Sequence, residues 1–426
     1  MIYKPLPEIN EADLQALVDN GVREGNTLDY KEALPSRNDD GKKEFLKDVS
    51  AMANTNGGDI IYGIREDRSG TETSATAAEV IGIHGIDVDA TKLWMEQVIQ
   101  TSIEPRLQGI GIHTITLIRG AVVFVLRVPR SWNAPHVVAF RSHWRFYGRH
   151  SAGNYEMDVT QVRDAFLSNA NIPDRLESFR KHKLDSLDMN TGERRATLVI
   201  HLQAFESTRP DTIFNLQSIS GHSRALLLGT VRHTEGIVRF NFDGLFVYME
   251  HSPDRAYLQV YQDGVTEEVY RESILHQERT EQGNVPYVNV RELEYIAIRG
   301  VGRRLELLKR LGVTSPLLVQ VSVIRVKDLK LKILNNDPMR DISHISYLTE
   351  RHGIDRDRLI CKPILVENLQ ELQLEETVGT GDSAYDSSFD IAGKILRPAF
   401  DSIWNAAGIA RSLHYNEDGI WIGRIP

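Results

Sequence analysis

KKEFLKDVSAMANTNGGDIIYGI, residues 42–64, decides how the first part of this chain folds. Phe45, Val49, Met52 and Ala53 recur at helical spacing, so its first half predicts a helix with one apolar stripe. NTNGG breaks that pattern, and Gly57 and Gly58 permit a tight reversal. GDIIYGI then reads as a buried strand, with Arg65, Glu66 and Asp67 leaving its C-terminal end.

Upstream, within REGNTLDYKEAL (residues 23–34), residues 27–34 alternate as a strand does. Leu28 and Tyr30 face one way, Thr27, Asp29 and Lys31 the other, and Glu24 stands at the entrance. Before it, Asn10 reads as a helix N-cap with Glu11 and Asp13 in the first turn, and Gly21 ends that helix.

Downstream, residues 68–79 are rich in Ser, Thr and Gly and predict a loop. DATKLWMEQVIQTSI predicts a helix stopped by Pro105, and GIGIHTITLIRGAVVFVLRV a hairpin turning at Arg119–Gly120. HVVAFRSHWRFYGR reads as one further strand, MDVTQVRDAFLSNA as a helix capped by Asp158, and NIPDRLESFRKHKLDSL as a helical connector. From about residue 185, strands and two long helices read as α+β, with EETVGTGDSAYDSSFD expected to be a flexible loop. The expected organisation is a domain over 1–170, a connector over 171–190 and an α+β domain over 191–426.

The bulk numbers exclude several classes. A chain of 426 residues, 41 % apolar and 26 % charged, has the composition of an ordinary globular protein. A net charge of −9 argues against a uniformly basic nucleic-acid coat. The single cysteine, Cys361, permits no intrachain disulfide and no Cys-rich zinc site, and it reads as a buried apolar residue. No signal-peptide pattern opens the chain, and no run approaches the ~18 apolar residues of a membrane span. The expectation is a cytoplasmic protein with no membrane partner. No GxxxxGK[ST] loop occurs, so the residues give ATP no support.

Two constellations carry chemistry. If the first two strands are neighbours, Glu24, Asp29 and one of Glu66 and Asp67 converge beside Lys31. Carboxylates so close repel unless a cation neutralises them, and oxygen ligands select Mg²⁺ or Mn²⁺. Such an ion activates water beside a phosphodiester, with Lys31 steadying the charge that develops. The same spacing also fits a solvated strand face carrying an Asp–Lys pair.

The second constellation is an acid gap. Acids make up about one residue in seven of the chain, yet none lies between Arg106 and Tyr155. That window holds Arg106, Arg119, Arg127, Arg130, Arg141, Arg145 and Arg149, and no lysine. Arginine forks suit phosphates, and Trp132, Trp144, Phe146 and Tyr147 offer faces for bases. Arg141 and Arg145 are expected on one strand face. A β-rich core stretch would also be poor in acids.

Residues 20–167 resemble the Schlafen AlbA-type (AlbA_2) domain. The run E-x4-D-Y-K, then ANT-x-GG-x-I-x-x-GI, I-E-P, F-Y-G-R-H-S and M-D-V-T-Q-V carries the resemblance. It implies a mixed α/β lobe that binds nucleic acid. In nuclease members, acids spaced like Glu24 and Asp29 join a third after the GG strand to bind a divalent metal. The lysine at Lys31 follows them, and structured RNA, above all transfer RNA, is cut. The second acid here is Asp where those members more often carry Glu.

The expected function is therefore a metal-dependent endoribonuclease, acting as a defence or stress effector. Arg119, Arg127, Arg130, Arg141, Arg145 and Arg149 would grip RNA or DNA. The alternative is a non-catalytic DNA- or RNA-binding regulator. Members that pair two such lobes in one chain make a homodimer the expectation for a chain with one.

Overall fold

The protein is described by a computed structural model covering residues 2, 4, 6–67, 76–151, 153–189, 196–209, 212–221, 236–249, 255–271, 274–281, 283–332, 353–374 and 387–423. Most of the expected loops at 68–79 and 375–390 therefore lie outside the described residues. The chain divides into two compact units, Met1–Pro173 and Asp174–Pro426.

The first unit begins with α1 (Glu11–Asp19), closed by the expected Asn10 cap and a reciprocal Asn10–Asp13 capping box. β1 (Leu28–Lys31) follows, then α2 (Asp39–Asn54) and β2 (Gly58–Tyr62). β1 and β2 pair in parallel, with Asp29 opposite Ile60 and Lys31 opposite Tyr62. The α2–β2 reversal needs both glycines. A Cβ on Gly57 would sit 2.5 Å from the Arg130 nitrogen, and one on Gly58 2.5 Å from the Thr27 oxygen. Asn54 staples the reversal to the neighbouring sheet. Its amide donates to the carbonyls of His136 and Tyr147, 2.9 Å each, and its oxygen accepts the His136 N–H at 2.6 Å.

β3 (Ile64–Asp67) pairs with β4 (Thr76–Val80) in a separate two-stranded ribbon. Glu66 and Asp67 therefore do not end the buried strand, because Gly63, at φ 106°, breaks the chain between β2 and β3. Residues 76–79 are strand rather than loop. α3 (Val88–Ser102), β5 (Ile103–Glu104), β6 (Gly111–Thr116) and β7 (Val122–Val128) come next. β6 and β7 form the expected hairpin and complete a sheet ordered β1-β2-β7-β6.

The expected strand over 136–149 is a hairpin, β8 (Val137–Phe140) and β9 (His143–His150), reversing at Arg141 with φ 54°. Arg141 thus lies in the turn and does not share a strand face with Arg145. β10 (Gly153–Glu156) completes the sheet β10-β9-β8-β5, and α4 (Val159–Ala170) carries the expected Asp158 cap. One core joins α2 (Phe45, Val49, Met52, Ala53) to Ile60, Tyr62, Phe124 and Leu126. Another, on the opposite face of the sheet, joins Leu14, Leu28, Tyr30, Ile61 and Val125. Asp29 and Lys31 are thereby turned toward α2.

The second unit is α+β, as expected. After α5 (Ile172–Met189), its strands are β11 (Thr197–Ala204), β12 (Gly236–Phe240), β13 (Gly244–Met249), β14 (Ala256–Tyr261), β15 (Thr266–Tyr270), β16 (Leu275–Thr280), β17 (Gly283–Asn289), β18 (Leu317–Ile324), β19 (Lys330–Lys332), β20 (Arg358–Ile360) and β21 (Ile364–Val366). Among them run α6 (Val290–Leu311) and, last, α7 (Ser387–Asn405). The large sheet runs β12-β13-β14-β15-β11-β18-β20, with β21 also on β18. Its inner face shares one core with α6 and α7, which includes Cys361. α5 lies on the outer face, where Leu184 and Leu187 meet Val199, Val269 and Ile324.

Candidate functional site

In the first unit, polar side chains from β1, α2, β9 and β10 close into a ring. Asp29 accepts from Arg149 Nη2 at 2.7 Å and stands 2.5 Å from Lys31 Nζ. Arg149 Nη1 donates to Asn154 Oδ1 at 3.0 Å, Asn154 Nδ2 donates to Asp48 at 2.6 Å, and Asp48 lies 3.6 Å from Lys31. Arg149 is only 3 % exposed, and its other donors reach the carbonyls of Gly25 at 2.9 Å and Leu28 at 3.2 Å. The ring ties the β1 sheet to the β9–β10 sheet.

Glu24 sits beside this ring and accepts the Tyr30 N–H at 2.7 Å. Burial, then the charges of Asp29 and Glu66, push its carboxyl up to about 7. Burial likewise raises Asp48 to about 6, with Asp29 adding to the rise and Lys31 opposing it. Burial works against the Lys31 charge, but Asp48 and Asp29 outweigh it and hold the ammonium above its ordinary value. Of the adjacent acids on β3, Glu66 is half-buried and its charge reaches Glu24, while Asp67 is exposed.

Glu24, Asp29, Lys31 and Glu66 are therefore brought together. Asp48 and Asn154 join them without having been anticipated. In sequence, Asp48 reads as the polar side of an amphipathic helix, and only its position opposite Lys31 reveals it. The arrangement does not fit Mg²⁺ or Mn²⁺ as it stands. Asp29, the central acid, already holds two cationic groups, so Lys31 and Arg149 supply the neutralisation that an ion was expected to give. Among the described residues no group of three or more His, Cys, Asp or Glu side chains is disposed to hold a metal.

The arginines separate by environment. Arg127 clamps Asp59 through Nε at 2.7 Å and Nη2 at 3.1 Å, and donates to the Lys4 and Ile2 carbonyls. Arg127 is half-buried, whereas Arg149 belongs to the interior. Arg130 is half-buried, its guanidinium over Trp132 at 5.2 Å. Arg119 is exposed in the β6–β7 turn. At the β8–β9 tip Arg141, Trp144 and Arg145 are 68 %, 59 % and 52 % exposed. Arg141 pairs with Asp39 at 2.5 Å and Arg145 with Glu156 at 3.0 Å, both in solvent, where such pairs are worth about 0–1 kcal/mol.

Residues 24–158 match the family model described as Schlafen, AlbA_2. Among solved structures, the DIP2311 protein of Corynebacterium diphtheriae is 22 % identical over 34 % of this chain and 27 % of its own length, with a TM-score of 0.23. The N-terminal domain of a RecG-related protein of Nitrosomonas europaea is 18 % identical over 34 % of this chain and 93 % of that one, with a TM-score of 0.25. The chain thus spans about a quarter of the first of these. A search of curated proteins finds no match. No described helix is long and apolar enough to cross a membrane.

Proposed function

We propose that the first unit is a nucleic-acid-binding module that grips its ligand with the β8–β9 hairpin. The observation that carries this reading is the exposed tip of Arg141, Trp144 and Arg145, drawn from a stretch without acids. Arg141, which also lies over the Phe140 ring at 5.9 Å, and Arg145 are paired with acids near the surface, from which guanidiniums exchange readily onto phosphates, and an exposed indole offers a face to a base. The Schlafen AlbA_2 match supports the same reading. The ring around Asp29 serves in it as the polar joint that fixes the hairpin's sheet to β1. The single buried thiol, Cys361, suits a cytoplasmic setting.

A second reading, cleavage of structured RNA such as transfer RNA, is favoured by one fact: Glu24, Asp29, Lys31 and Glu66 converge. Entry of Mg²⁺ or Mn²⁺ would require Asp29 to give up Arg149 or Lys31. Wild type and Glu24→Ala/Asp29→Ala, incubated with total transfer RNA with and without Mn²⁺, separate the two. Binding without cleavage is expected. Cleavage by wild type that the double variant loses would replace the first reading with the second. Pairing of two such units in a homodimer belongs to the same proposal, and mass in solution at micromolar concentration tests it.

A further inference from the structure

We infer that the outer face of the second unit's large sheet, at its β12–β14 end, is a stacking platform for single-stranded nucleic acid. Along β13, Leu245 and Val247 enter the core while Phe246 and Tyr248 point to the opposite face. Phe246 and Tyr248 lie 5.5 Å apart at 29°, and Phe246 and Tyr257 of β14 5.4 Å apart at 37°. These rings pack against one another as an aromatic strip across two strands. Arg239 of β12, exposed on the same face, stands 5.3 Å from the Phe246 centroid and 5.2 Å from that of Tyr248.

α5 covers the neighbouring part of this face, and its apolar cluster reaches as far as Tyr257. Phe246 and Tyr248 continue the strip and stay half-buried. At the β12–β13 turn Phe242 is 96 % exposed, while Phe240, opposite Leu245, belongs to the other face. Glu267, an acid on this face, is engaged by His201 and the Tyr257 hydroxyl, 3.0 Å each.

π-Faces joined to a guanidinium match a base and its phosphate together. Only an unpaired strand can offer its bases to such a surface. This inference rests on the nucleic-acid reading of the first unit and extends it to a second contact on the same chain.

The intact chain is mixed with a single-stranded oligonucleotide carrying 4-thiouridine, irradiated, and its adducts are mapped by mass spectrometry. Adducts within 237–261 are expected. Phe246→Leu/Tyr248→Leu, which keeps apolar bulk but removes the rings, should weaken single-strand binding roughly tenfold. Tyr248→Phe should leave it within about twofold. Wild type that binds but crosslinks only at residues 137–150 overturns the platform and leaves the hairpin standing. Wild type that binds no nucleic acid overturns both.

Discussion

Replacing Arg149 by Met removes the most connected member of the ring while keeping the length and apolar character of its stem. Four partners lose their donor: Asp29, Asn154 and the carbonyls of Gly25 and Leu28. Asp29 stays buried with only Lys31 against it. Removing one member of a buried ion pair costs about 3–5 kcal/mol, because the other charge is left uncompensated. Lys31 offsets part of that, and the two carbonyls add about 1 kcal/mol each. A loss of about 4 kcal/mol is expected. It would lower the first unit's melting temperature by roughly 8–16 °C, at about 2–4 °C per kcal/mol.

The assay is hydrogen exchange on the intact chain, followed in peptides covering 25–32 and 143–156, so that the second unit does not mask the effect. Asp29→Asn/Arg149→Met should regain about 2 kcal/mol over the single variant, since no charge is then stranded. A single variant within about 1 kcal/mol of wild type would show that Arg149 does not neutralise Asp29, as would a double variant no better than the single.

Further outcomes follow from the same geometry. Glu24 and Asp48 have folded-state values raised to about 7 and about 6, above their ordinary 4.5 and 3.8. At these two groups the folded state binds protons the unfolded chain has lost, so the stability they contribute is full below their ordinary values and is lost as pH rises through 6 and 7. Urea midpoints between pH 5 and 7.5 should show this decline, and Glu24→Gln should flatten it. Asn54→Ala leaves two carbonyls and one amide without their partners. It should cost about 2–3 kcal/mol in a denaturant titration. Gly58→Ala drives a methyl into the Thr27 backbone and should destabilise by well over 1 kcal/mol, read as lost soluble yield or a lowered melting temperature.

The helix–reversal–strand block was legible because each part is dictated locally: apolar spacing for α2, glycines where no Cβ fits, and continuous apolar residues for β2. The pairing of Asp29 with Lys31 was legible for the same reason, since alternation along one strand sets their faces, whereas Glu24 lies ahead of that strand and is placed by the Tyr30 N–H it accepts. What could not be read was decided across the fold. Arg127 and Arg149 look like phosphate ligands in sequence, yet each is consumed by a carboxylate about 70 or more residues away. The β8–β9 turn has neither Gly nor Asn at its centre. Arg141 adopts a positive φ there, which nothing local announces. Asp48 and Asn154 belong to the ring only because α2 and β10 converge on β1.

If the β8–β9 tip carries nucleic-acid binding, Arg141 and Arg145 set part of the salt dependence of affinity. Anisotropy titrations of a labelled RNA against wild type and Arg141→Ala/Arg145→Ala, from 50 to 300 mM salt, give two slopes of log affinity against log salt. The double variant should bind more weakly, with a slope shallower by about 1.4–1.8, the loss of two neutralised phosphates. Equal affinity and equal slope for the two proteins would mean that the tip does not carry binding.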